Sequence, residues 1–103
     1  MRLIVHRLAI GEINKAADHY KKISHDVEDR FTRAVEHALQ RIREHPQSGE
    51  ELVRGERRLL LKRFPYKLIY RPQPTRIFIV ALAHHKRREG YWRRRREPPG
   101  FAE

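Results

Sequence analysis

Between Arg57 and Ala83 the chain reads as three short β-forming runs separated by proline, a pattern few folds accommodate. Pro65 parts the first run from the second, and Pro72-Gln73-Pro74-Thr75 parts the second from the third. Proline fixes φ and has no amide hydrogen, so it marks the ends of strands rather than their middles. In the second run Tyr66, Leu68 and Tyr70 share one face at period two, and Lys67, Ile69 and Arg71 share the other. One face is apolar and the other carries cations. The third run, Ile77 to Ala83, is apolar on both faces, which predicts a central strand covered above and below. We therefore expect a three-stranded antiparallel meander with one cationic face.

The segment ahead of the meander supplies its cover. Arg2 to His6 is short and partly β-branched, and reads as a strand. Ala9, Ile13, Ala16, Tyr20 and Ile23 fall on one stripe, predicting a helix over Ala9 to Ile23. Ser24 is placed to cap a second helix, with Asp26, Glu28 and Asp29 where the helix dipole favours negative charge. Val27, Phe31, Ala34, Val35, Ala38, Leu39 and Ile42 form its apolar face, and Pro46 stops it. The short connection makes the two helices an antiparallel hairpin. The expected fold class is α+β: a short N-terminal strand, a helical hairpin, then the meander, in one sheet with the helices on one face. Pro46 to Glu51 reads as a turn-rich connection in which Glu50 and Glu51 are solvated.

At 103 residues this is a single domain, with boundaries expected at 1–96. Residues 97–103, which hold Pro98-Pro99-Gly100 and follow the cationic run Arg93 to Arg96, are expected to form a disordered tail. The absence of cysteine rules out disulfides and thiolate metal sites and fits a reducing cytoplasm. No apolar run reaches the roughly 18 residues of a membrane span, and Met1 to Ile10 does not read as a signal peptide. The seven histidines show no chelating spacing, so no metal or other cofactor is expected. No phosphate-binding glycine loop and no Ser-His-Asp arrangement stands out.

Charge is distributed unevenly. Residues 1–53 hold 9 basic and 9 acidic side chains, whereas residues 54–103 hold 15 and 4, so the whole net charge of +11 sits on the second half. A surface chosen for solubility intersperses both signs. This distribution points instead to a polyanion or an acidic protein. Arg63, Lys67, Arg71, His84, His85, Lys86, Arg87, Arg88 and Tyr91 form the densest cluster of candidate groups. Such groups could cleave RNA without a metal, one removing the 2′-OH proton and others steadying phosphate charge. They would serve binding equally well. Trp92 fits best as a core anchor for the C-terminal segment, and Tyr91 is open between anchoring and stacking.

Taken in order, the strand, the helical hairpin, Pro46 with Gly49, Arg58, Phe64-Pro65-Tyr66-Lys67-Leu68-Ile69-Tyr70, then His84-His85-Lys86-Arg87-Arg88 and Trp92, resemble the RelE/ParE toxin superfamily over about residues 2 to 94. The resemblance implies the toxin of a type II toxin–antitoxin, or plasmid stabilisation, module, neutralised in a hetero-oligomer by a cognate antitoxin with an acidic amphipathic segment. RelE-like members cut messenger RNA on the ribosome, and ParE-like members inhibit DNA gyrase without being nucleases. Lys67 stands where RelE-like toxins carry an arginine against the scissile phosphate, and lysine lacks the bidentate fork. Lys86 and Arg87 match a basic pair of that branch, and Tyr91 lies close to its functional tyrosine. The opening Phe64-Pro65-Tyr66 and the closing Trp92 look more like ParE.

Gyrase inhibition is thus the leading expectation, with Arg63, Arg71, Lys86, Arg87, Arg88, Trp92 and Arg93 as target-binding residues. The alternative is a metal-independent endoribonuclease (an mRNA interferase), with Lys67, Arg87, Tyr91 and His85 as its catalytic groups. A non-toxic basic nucleic-acid-binding domain is a third reading.

Overall fold

A computed structural model describes residues 1–97. Strand β1 (Arg2–Val5) leads into helices α1 (Arg7–Lys21) and α2 (His25–Glu44). There follow β2 (Glu50–Glu51), a single 3-10 turn at Val53–Gly55, β3 (Arg57–Leu60), β4 (Tyr66–Pro72) and β5 (Arg76–His84). The five strands make one sheet in the order β1-β5-β4-β3-β2, with β1 parallel to β5 and every other pair antiparallel. The expected α+β architecture is present, with β3, β4 and β5 as its meander. Strand β2 is an addition: Glu50 lies opposite Arg58 and Glu51 opposite Arg57. Opposite charges across a strand pair favour that register, and Glu50 takes a 2.7 Å ion pair from Arg58.

Helix α1 stops at Lys21, short of the expected Ile23, which is left 62% exposed. Ser24 explains the early stop. Its backbone is extended and its Oγ accepts from the Val27 amide, so the residues before it must reverse the chain. At the other end His6 caps α1, its Nδ1 accepting from the Leu8 amide at 3.0 Å. Helix α2 ends at Glu44, just before Pro46, as proline requires.

The helices cover one face of the sheet. Phe31, Val35, Ala38 and Ile42 of α2 and Ala16 of α1 pack there on Leu68 and Tyr70 of β4 and Ile77, Ile79 and Leu82 of β5. The opposite face carries a second core of Ile4, Ile69, Phe78, Val80, Ala81 and Ala83 beneath Trp92. A bulge lets β5 serve both. Ile69 pairs with Ala81 and Tyr70 with Ile79, so Val80 is the extra residue and the side-chain alternation restarts after it. Val80 and Ala81 both face the second core, and Leu82 returns to the helices.

Tyr70 also fixes the α2–β2 connection. Its hydroxyl donates to the Pro46 carbonyl at 2.8 Å and accepts from the Gly49 amide at 2.9 Å. A Cβ at position 49 would lie 2.5 Å from that hydroxyl and 2.7 Å from the Arg58 carbonyl oxygen, so only glycine fits.

Candidate functional site

The second sheet face is closed by the chain that follows β5. Residues 85–95 descend in successive turns, with amide-to-carbonyl bonds from Arg87 to His84, Tyr91 to Arg88, Arg93 to Gly90 and Arg95 to Trp92. Trp92 sits fully buried at the centre of this segment. Around it, carboxylates meet the cations that strand alternation aims at the same face. Glu56 is 1% exposed and accepts from Trp92 Nε1, Arg93 Nε and Arg71 Nη2 at 3.2 to 3.3 Å. Lys67 is 8% exposed and its Nζ is 2.7 Å from Glu89. Arg76 pairs with Glu97 at 2.9 Å.

Glu12 of α1 closes a third junction. Beyond Ile79, β1 no longer covers the outer edge of β5, because its register ends with Val5 opposite Ile79. The exposed edge groups are met by side chains instead. Glu12 Oε1 accepts from the Leu82 amide at 3.1 Å, and Arg95 donates to the Val80 carbonyl at 3.1 Å. Arg95 also forks onto both oxygens of Glu12 at 2.8 Å, and the Tyr91 hydroxyl donates to Glu12 at 2.7 Å. That hydrogen bond and, above all, burial hold the Tyr91 phenol well above its ordinary pKa. Arg95 is held protonated first by the same carboxylate.

These placements bear unequally on the residues expected to act. Of the four nuclease candidates, Lys67 and Tyr91 are each tied to a carboxylate, while Arg87 and His85 are exposed. The Arg87 guanidinium lies 4.0 Å from the Tyr91 ring centroid, and Lys67 Nζ lies 5.7 Å from that of Trp92. Arg87 and Tyr91 are therefore neighbours, but the two groups best suited to proton and phosphate chemistry, Lys67 and Tyr91, are already engaged. Among the target-binding candidates, Trp92 is inside the protein and Arg71 and Arg93 turn inward onto Glu56. Lys86, Arg87 and Arg88 remain outward and exposed, as do Arg94 and Arg96, which the sequence reading did not single out. Arg63 is exposed at the β3–β4 turn with φ 69°, a left-handed backbone that costs a non-glycine residue about 1 kcal/mol. The open cationic sheet face expected from the alternation of β4 is thus covered and neutralised. Its unpaired cations lie on the covering segment. Glu97, assigned to the expected tail, pairs with Arg76, and residues 98–103 lie outside those described.

A second feature is a groove between α2 and β3. Its floor is apolar, built from Ala34, Ala38, Leu59, Leu61 and Phe64. Arg33, His37 and Arg41 stand along one bank at a spacing of four, and Lys62 and Arg63 along the other. Because β2 pairs only with Arg57 and Arg58, the outer edge of β3 beyond them has no strand beside it. Among the described residues no group of three or more His, Asp or Glu side chains could hold a metal ion, and no helix is long and apolar enough to cross a membrane.

Comparison with known proteins places this geometry. The model of the ParE toxin of the type II toxin–antitoxin system parDE matches residues 3–89. The chain belongs to the ParE toxin family. That match spans both helices, strands β2 to β5 and all of β1 but Arg2, and it ends at Glu89, ahead of Trp92. Among solved structures, a chain of the chromosomal ParDE TA system from P. aeruginosa superposes with a TM-score of 0.59 at 22% identity, over 82% of this chain and 95% of that one. At that identity the likeness is one of fold. No curated protein matches the sequence.

The carboxylates Glu12, Glu56 and Glu89 are the functional neighbours that sequence reasoning missed. A signal existed for one of them: Glu56 is a lone acid between Gly55 and four cations in the next seven residues. Nothing local marks Glu12, which stands 79 positions from Tyr91 and 83 from Arg95 in the chain.

Proposed function

We propose that this ParE-family toxin acts by contact with DNA gyrase rather than by cleaving RNA, and that an antitoxin restrains it in the cytoplasm. One observation carries the choice between targets. A metal-free nuclease needs a free cation at the phosphate and a group able to exchange a proton near neutral pH. Lys67 is buried against Glu89, and the Tyr91 hydroxyl is committed to Glu12 with its pKa raised. Neither is poised for that chemistry. The exposed residues Lys86, Arg87, Arg88 and Arg63 are then left for binding rather than for chemistry.

The groove between α2 and β3 suits the antitoxin. An amphipathic segment would bury its apolar side on Leu59, Leu61 and Phe64 and set acidic side chains against the two cationic banks. The bare edge of β3 offers main-chain hydrogen bonds to an extended part of the same segment.

The test is induction of the chain alone, followed by plasmid supercoiling and messenger-RNA 5′ ends in the same cells. Loss of negative supercoiling with intact messages is the expected result. Ribosome-phased cuts with normal supercoiling would replace the gyrase reading with the nuclease one, and unimpaired growth would favour a non-toxic binding domain.

A further inference from the structure

We propose that the outward cations of the C-terminal segment, Lys86, Arg87, Arg88, Arg94 and Arg96, form a binding surface for the phosphate backbone of a nucleic acid, separate from the groove. This goes beyond the choice of protein target and holds whichever target is correct.

The first ground is how the fold sorts charge. Every described carboxylate of the second half points inward or sideways onto a partner: Glu56 onto Arg71 and Arg93, Glu89 onto Lys67, Glu97 onto Arg76. The five outward cations have no carboxylate within ion-pair distance among the described residues, and all five are exposed. Alternation along the segment produces the sorting, since Arg93 and Arg95 face in while Arg94 and Arg96 face out. The two ends of the segment also meet. The guanidinium groups of Arg87 and Arg95 lie 4.0 and 5.2 Å from the same Tyr91 ring centroid, so residues 86–88 and 94–96 flank one aromatic.

The second ground is what the surface lacks. A protein partner is held by apolar or aromatic anchors at the centre of its interface, with charges at the rim. Among the described residues the exposed large hydrophobics are Met1, Leu8, Ile10, Ile23, Val53 and Leu60, and none is in this segment. Its two aromatics are engaged: Trp92 is buried, and Tyr91 is covered by arginines and bonded to Glu12. The groove has the opposite character, an apolar floor with charges at its rim. A surface of cations without an anchor fits phosphates, which are bound by charge and bidentate arginine geometry and need no apolar contact. With neither Tyr91 nor Trp92 free to stack on bases, binding should depend little on sequence.

The test is fluorescence anisotropy of the full chain with labelled duplex DNA, duplex RNA and single-stranded DNA across a salt series. Each phosphate neutralised on B-DNA contributes about 0.9 to the slope of log K against log salt. Lys86→Ala/Arg87→Ala/Arg88→Ala should make the duplex-DNA slope shallower by roughly 2 to 3, with circular dichroism unchanged because these side chains are exposed. Arg94→Ala/Arg96→Ala should make it shallower by about 1 to 2. The charge-matched control Arg33→Ala/Arg41→Ala/Lys62→Ala, in the groove, should leave the slope as it is. A preference between the duplexes would identify which nucleic acid supplies the phosphates, and parity would assign the binding to backbone charge. The proposal is overturned by absence of saturable binding at low salt, by an equal effect of the groove control, or by competition from a poly-glutamate peptide matching that of DNA at equal charge. The last result would assign the surface to an acidic protein.

Discussion

The indole N–H of Trp92 donates to Oε1 of Glu56 across 3.3 Å, and both side chains are buried, 36 positions apart in sequence. This bond joins the chain after β5 to the turn before β3. Glu56 gathers two arginines at the same point, so its charge is buried but compensated. Removing the carboxylate leaves Arg71, Arg93 and the indole without their acceptor. We expect Glu56→Ala to cost about 3–5 kcal/mol in urea denaturation. Glu56→Gln, which keeps one acceptor oxygen, should cost less, about 1–3 kcal/mol. A loss below about 0.5 kcal/mol for both would contradict the role given to this carboxylate.

The Tyr70 hydroxyl makes a second long-range bond, and its partners are main-chain groups. Tyr70→Phe leaves the Gly49 amide and the Pro46 carbonyl unmet at a buried site, a cost of about 1–3 kcal/mol. Gly49→Ala should be at least as damaging, because the added methyl would meet both the hydroxyl and the Arg58 carbonyl. Thermal melts of the two variants and their double mutant measure the coupling. Full additivity would show that the two residues act independently, contrary to the geometry.

His6 makes stability depend on pH. Burial, then the Arg95 and Arg7 charges, lower its pKa below the usual 6.5, and its Nδ1 must be unprotonated to cap α1. Glu12 opposes these influences. The unfolded chain therefore takes up the proton first as pH falls. Stability from this residue is complete above about pH 6.5 and is lost as pH drops through the lower folded value. His6→Asn, which caps without titrating, should flatten the urea midpoint across that range. A wild-type midpoint that does not fall over the same range would refute the assignment. Glu89 adds a separate, more acidic loss. Its hydrogen bond from Lys67 lowers its pKa, so the stability it provides disappears only as pH falls below the ordinary glutamate range.

The groove makes a prediction for partner binding. Arg33→Glu/Arg41→Glu sets negative charge on one bank while leaving the apolar floor intact. Binding of an acidic amphipathic segment, read by calorimetry at moderate salt, should weaken by at least tenfold, about 1.4 kcal/mol. Unchanged affinity would move the partner to another face.

Much of the fold was legible because it depends on local pattern. Ser24, Pro46 and the period of α2 marked the helical hairpin, and the alternation of Tyr66 to Arg71 marked both faces of β4. The site was only half legible. Lys67 and Arg71 were correctly assigned to one face, but the alternation cannot reveal what covers that face. The cover depends on Glu12, Glu56 and Glu89, whose partners lie 15 to 83 positions away. The bulge at Val80 was hidden for a related reason: a run apolar on both faces reads the same whether or not its register shifts. Ile23 shows the converse, a residue that matched the α1 stripe yet was left exposed because Ser24 began the next helix.

The central claim is that the toxin acts by contact and does not use Lys67 and Tyr91 as chemical groups. The most direct measurement is in vitro supercoiling by purified DNA gyrase, with the wild-type chain compared against Lys67→Met/Tyr91→Phe. Equal inhibition by both proteins is predicted, alongside intact messenger RNA in a translation extract. Failure of the wild-type chain to inhibit gyrase, with message cleavage that the double variant abolishes, would contradict the account.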